Sequence, residues 1–175
     1  MRSGLIAFCV FVSCTASGAE TTKTHGTQLT HPDGAGWQIA RPTGAGFTAL
    51  LPCPYEDTSV EGGSPVLSSR FVACRQPAVM WSAMQMEYAS PDIAASWFQQ
   101  IIQKSGGHEL DKLPAGLKGH RTLEFGSHAV DLVGLTRATL DGSRIVLQTA
   151  EWRPAQEAAV KGNLPKFFGA INLDQ

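Results

Sequence analysis

Apolar residues recur along this chain with two different periods, and each change of period marks an element. Trp37–Arg41 and Phe47–Leu51 are short apolar runs separated by Pro42-Thr43-Gly44-Ala45-Gly46, which predicts two strands joined by a tight loop. Pro52-Cys53-Pro54 ends the second, because proline has no N–H to give a strand ladder. Tyr55 to about Ser68 reads as a loop, with Gly, Ser and Pro concentrated in its second half. Two further strands are expected near Ser69–Arg75 and Val79–Tyr88, turned at Gln76-Pro77. Within VMWSAMQMEY, alternation puts Met80, Met84, Met86 and Tyr88 on one face and Trp81, Ala83, Gln85 and Glu87 on the other.

The period then lengthens to that of a helix. Ser90 is a good N-cap, Pro91 suits the first helical position and Asp92 suits the helix dipole. Ile93, Trp97 and Ile101 recur at four-residue spacing, and Phe98 and Ile102 widen the apolar stripe. Lys104 falls in the last turn and Gly106-Gly107 stops the helix. His108–Gly119 is irregular, with room for a short strand. Three strands are expected after it, at Arg121–Phe125, His128–Thr139 and Ser143–Trp152. Gly126-Ser127 reads as the first hairpin turn and Leu140-Asp141-Gly142-Ser143 as the second, with Asp-Gly a type I′ signal. Pro154–Ile171 begins helically, is interrupted at Gly162-Asn163, and resumes at Leu164-Pro165 to carry Phe167, Phe168 and Ile171 inward. This order predicts an α+β fold, an antiparallel β-sheet with helices packed against it. Strict βα alternation is absent, which argues against a parallel nucleotide-binding sheet.

The first nineteen residues, MRSGLIAFCVFVSCTASGA, combine a positive start at Arg2, an apolar run from Leu5 to Val12 and small residues at Ser17-Gly18-Ala19. That pattern is a secretory signal peptide over 1–19, too short for a permanent membrane span. FVSC ending at Cys14 also resembles a bacterial lipobox, with Phe11 standing where leucine is usual, so lipidation of Cys14 is a second reading. Residues 20–36 are polar, rich in Thr and Gly and without periodicity, a flexible leader; 37–175 is then a single α+β domain. Cleavage after Ala19 leaves 156 residues, enough for one core. It removes only one charge, leaving 13 basic against 15 acidic residues, a net of −2. With no basic stripe, nucleic acid is not an expected partner. No later apolar run is long enough to cross a bilayer, so the chain is not read as an integral membrane protein.

Of four cysteines, only Cys53 and Cys74 lie outside the first fourteen residues. In an exported chain they meet an oxidising compartment, and their 20 intervening residues make a loop worth closing. A disulfide is therefore the reading preferred. A redox pair would want C-x-x-C at a helix start, and a zinc site two more ligands nearby, whereas the nearest histidine, His31, is far upstream.

The stretch RPTGAGFTALLPCP resembles the opening P-x-x-G-F-x-x-x-x-P hairpin of the PsbP-like and DcrB-like group of small α/β/α sandwich proteins. The long strand ending in EYA, the amphipathic helix after it, the hairpin DLVGLTRATLDGSRIVLQTAEW and the terminal KFFGAINL extend the likeness over roughly 36–173. The resemblance implies that fold, export, and a role as a binding or assembly factor for other proteins. No functional residue of the group maps onto this chain.

Candidate chemistry is sparse. His120 and His128 flank one expected hairpin, with Glu124 or Asp131 as third-ligand guesses, but scattered surface histidines explain them better. The Met80, Met84 and Met86 face could offer thioethers to Cu(I), but gap-filling beneath the Trp97 helix is the stronger reading. Glu87, Asp92, Glu109 and Asp111 could supply a carboxylate pair for glycoside chemistry, and spacing singles out none of them. No G-x-S-x-G, H-E-x-x-H or phosphate-binding glycine loop is present. The expectation is a periplasmic protein (or a membrane-anchored lipoprotein, if Cys14 is modified) without catalytic, metal or cofactor residues. It would bind another envelope protein, as an assembly factor or an immunity protein. The alternatives are a small-molecule or lipid binder, with a pocket between the sheet and the Ser90–Ser105 helix, and a cell-wall hydrolase.

Overall fold

The structure, a computed structural model, describes residues 21–28 and 33–174. The expected signal peptide and Cys14 lie outside the described residues. In chain order the strands and helices are β1 (Thr21–Gln28), β2 (Gln38–Ala40), β3 (Phe47–Leu51), β4 (Tyr55–Glu61), β5 (Val66–Gln76), β6 (Val79–Tyr88), α1 (Pro91–Ser105), β7 (His108–Glu109), β8 (Arg121–Ala129), β9 (Leu132–Asp141), β10 (Arg144–Trp152), α2 (Glu157–Gly169) and β11 (Asn172–Leu173). Eight strands form one antiparallel sheet in the order β1-β4-β5-β6-β10-β9-β8-β7. A three-stranded sheet, β11-β3-β2, stands apart from it.

Alternation in the central strands divides the core in two. On β6 and β10, Trp81, Ala83, Val146, Ala150 and Trp152 join one cluster with Phe47 and Leu51 of the small sheet and Val160, Phe167 and Phe168 of α2. Ile145 and Tyr88 face the opposite way and pack with Ala94 and Phe98 of α1, Leu123 and Ala138. The two helices therefore cover opposite faces of the sheet. Each fully buried large apolar side chain in these layers stabilises the fold by about 1.5–3 kcal/mol.

Helix α1 forms as its sequence dictates. The Ser90 hydroxyl accepts from the Ile93 N–H at 3.3 Å, and Gly106 closes the helix in the left-handed conformation at φ 64°. Trp97 stacks on Tyr88 with centroids 6.4 Å apart, and Phe98 is fully buried beneath it. The ground between helix and sheet is thus filled by side chains.

Several expectations are corrected. Thr21–Gln28, read as part of a flexible leader, is strand β1, paired with β4 and interrupted by an irregularity at Gly26. Its polar sequence TTKTHGTQ suits a sheet edge and gives no apolar periodicity to detect. Tyr55–Ser68, read as a loop, holds β4 and the start of β5 in a hairpin. The inward residues of β4 are Tyr55, Asp57 and Ser59, two of them polar, so the apolar alternation is missing. The first hairpin turns at Val130-Asp131, not at Gly126-Ser127, because Gly126 pairs with Leu135 and Ser127 with Gly134. A side chain on Gly134 would meet the Ser127 hydroxyl, which would have to rotate away. In the second hairpin Asp141 pairs with Arg144, making Gly142-Ser143 the two-residue loop. Gly142 has φ 57° and Ser143 has no positive φ, which is the II′ pattern rather than I′.

The last helix is also different from its sequence pattern. α2 runs unbroken through Gly162, Asn163 and Pro165. Pro165 cannot donate to the Lys161 carbonyl, a cost that burial of Phe167 and Phe168 offsets. Buried Gln148 donates its Nε2 to the Phe167 carbonyl at 2.9 Å, satisfying an acceptor that the helix end leaves open. Arg137 lies over the Phe168 ring at 4.5 Å, and Lys166 over the Trp37 ring at 4.9 Å.

Cys53, between β3 and β4, is bonded to Cys74 on β5, with their Cα atoms 5.6 Å apart. The bond ties the small sheet to the large one beside the Trp81 cluster. Removing it by the double substitution C53A/C74A is expected to lower unfolding free energy by about 3 kcal/mol, measured as a shift of the denaturant midpoint. Glu151 offers a second test. It is half-buried on the α1 face, and desolvation pushes its carboxyl above the ordinary 4.5 despite Arg75 nearby. Above about pH 4.5 the unfolded chain gives up this proton while the folded chain still holds it, so stability falls as pH rises through the folded pKa. The stability of Glu151→Gln relative to the parent should therefore grow between about pH 4 and about pH 7 in denaturant titrations.

Candidate functional site: a polar cleft at one end of the sheet

The loop between β2 and β3 is held at three points. Asp57 Oδ2 accepts from both the backbone N–H and the hydroxyl of Thr43, at 3.0 and 2.8 Å. The Gly46 N–H donates to Gln85 Oε1 at 2.9 Å, and the Gly46 carbonyl accepts from the Asp174 N–H at 2.9 Å. Gly44 sits at φ 72°, where a side chain is strained. Two guanidinium groups press on the loop: a Cβ on Gly44 would be 3.2 Å from Arg70 Nε, and one on Gly46 would collide with Arg144 Nη1. Asp57 is 1 % exposed, and its second oxygen, Oδ1, has no partner among the described residues.

This loop forms one wall of a cleft of about 560 Å³. The floor is Gln85 and Glu87 of β6, and the far wall is Asp141-Gly142-Ser143-Arg144, the β9–β10 turn. Arg144 pairs with Asp141, and its Nη2 also donates to the Asp174 carbonyl at 3.4 Å. His120 Nδ1 lies 3.5 Å from the other Asp141 oxygen. Asp141 is therefore engaged on both sides. Gln85 is 4 % exposed; with Oε1 committed to Gly46, its Nε2 lines the cleft without a partner among the described residues. Glu87, half-buried, makes no hydrogen bond or ion pair among the described residues.

The site thus offers one open donor and one open carboxylate beside a satisfied Asp141–Arg144 pair. His120 is oriented by a carboxylate, as a catalytic base would be, but no hydroxyl meets its Nε2 among the described residues.

The residues singled out from the sequence are scattered. His120 precedes β8 and His128 is near its other end, about 26 Å away along the strand, so they do not face each other. Glu124 pairs with Arg137 at 2.7 Å, and Asp131 is exposed in the turn. Among the described residues no group of three or more His, Cys, Asp or Glu side chains is placed to hold a metal ion. Met86 packs in the α1 cluster, while Met80 and Met84 are half-buried on the same face. Of the four carboxylates, Glu109 pairs with Arg121, Asp92 occupies the first turn of α1, Asp111 is exposed, and Glu87 alone lines the cleft. Sequence reasoning missed Gln85, Asp141, Arg144 and Asp57 as site residues. The signals available were a Gln and a Glu two apart on one strand face, and an Asp-Gly-Ser-Arg turn.

No family model matches the chain, and neither a curated protein nor a solved structure matches it. Among the described residues no helix is long and apolar enough to cross a membrane.

Because Asp57 fixes the cleft wall through Thr43, Asp57→Ala is expected to speed amide hydrogen exchange at Thr43 and Gly46. It should also lower stability by about 1–3 kcal/mol. Exchange unchanged at both amides would show that the loop is held by other contacts.

Proposed function

We propose that this protein is an exported, non-enzymatic binding protein whose partner is another protein of the cell envelope. The observation that carries the reading is the cleft. Its Asp141 is engaged by Arg144 and, from outside the lining, by His120, while Gln85 Nε2 and Glu87 are left to meet a ligand. The Cys53–Cys74 bond supports an oxidising compartment, as does the N-terminal sequence pattern. The likeness of RPTGAGFTALLPCP and the DLVGLTRATLDGSRIVLQTAEW hairpin to PsbP-like and DcrB-like proteins supports a binding or assembly role. Crosslinking in intact envelopes, followed by mass spectrometry, tests this. One reproducible protein partner and a mature chain beginning at Glu20 are the expected result. Recovery of no specific partner would remove the reading. A small molecule or lipid retained in native mass spectra would replace it with the ligand-binding alternative.

A further inference from the structure

The chemistry of the cleft narrows what the partner must present. Arg144 neutralises Asp141, so Glu87 leaves the cleft with one uncompensated negative charge. A carboxylate or phosphate would meet that field unfavourably, and both guanidinium groups at the wall are already occupied, Arg144 by Asp141 and the Asp174 carbonyl and Arg70 by Glu61. The lining residues include no aromatic side chain on which a sugar or base could stack. An apolar group would strip water from Glu87 and Arg144 with nothing in return. The open groups are a carboxylate and, on the same strand face two residues away, a nine-tenths-buried amide donor. Together they ask for a cation with a carbonyl oxygen near it.

Resting on the binding reading above, we propose that the cleft receives a basic side chain of the partner, its cationic head on Glu87 and a neighbouring peptide carbonyl on Gln85 Nε2. A volume of about 560 Å³ admits a lysine or arginine side chain together with the adjoining backbone. The Gly46 anchor to Gln85 Oε1 fixes which end of that amide faces the ligand.

The test needs no knowledge of the partner. The isotope-labelled mature protein is titrated with a tri-lysine peptide and with the same peptide carrying norleucine in place of lysine, followed by NMR. The expected result is saturable shifts of the Gln85 side-chain amide and the Gly44 and Gly46 backbone signals with tri-lysine only. Affinity should fall about fivefold or more in Glu87→Gln, and should fall as salt rises from about 0.02 M to about 0.15 M. Shifts elsewhere on the surface but not at these signals would overturn the assignment. So would an equal response to the norleucine peptide, or undiminished affinity in a folded Glu87→Gln. If the substitution disturbs folding, the norleucine comparison and the salt dependence decide on the parent protein alone. Failure here with a partner still recovered by crosslinking moves the interface off the cleft; failure of both removes the binding reading itself.

Discussion

Nine consecutive residue pairs join β6 to β10, and everything else in the molecule is arranged around them. Both faces of this ribbon are covered, so its alternation must satisfy two cores at once. Trp81, Val146 and Ala150 commit one face to α2 and the small sheet; Tyr88 and Ile145 commit the other to α1. A shift of pairing by one residue would exchange the faces and leave Trp81 under the wrong helix. The register is therefore fixed by burial. The position of the Gln85–Glu87 pair at the open end of the ribbon follows from it.

Around that frame, polar contacts do what the apolar core cannot. Helix α2 carries a proline and two glycines, yet it stays on the sheet because Gln148 takes up the Phe167 carbonyl and the aromatic pair beneath is buried. The small sheet is tied to the large one by the disulfide, and its β2–β3 loop is held there by Asp57 of β4 and Gln85 of β6. Its β2–β3 loop is thereby made rigid enough to form a wall. The cleft is a by-product of this anchoring: Gln85, which holds the loop down, also lines the space the loop encloses. Binding there would cost little ordering of the protein.

Parts of this structure are legible in the chain itself. The limits of β6, the Ser90 cap and Gly106 stop of α1, the α+β class and the Cys53–Cys74 bond all follow from local rules: period two against period four, cap chemistry, and the pairing of two thiols. Local rules fail where inward-facing residues are polar. Asp57 and Ser59 hide β4, and the all-polar β1 shows no periodicity at all. They fail again where turn residues are absorbed into a ladder, as Gly126-Ser127 is by Leu135 and Gly134.

The sequence alone determined the central strands and helix α1, that two cysteines would meet, and that no familiar catalytic motif is present. Tertiary structure decided which polar residues share a space. Gln85 and Arg144 are 59 positions apart, and Gly46 is farther still from Asp174. Nothing in their spacing encodes a cleft. It arises because sheet register sets Glu87 opposite Arg144, and because a loop from a separate small sheet is pinned across the same end by hydrogen bonds to buried side chains. Those bonds follow from which polar groups must be satisfied once the chain is packed, and that is settled only when the distant segments are already in place.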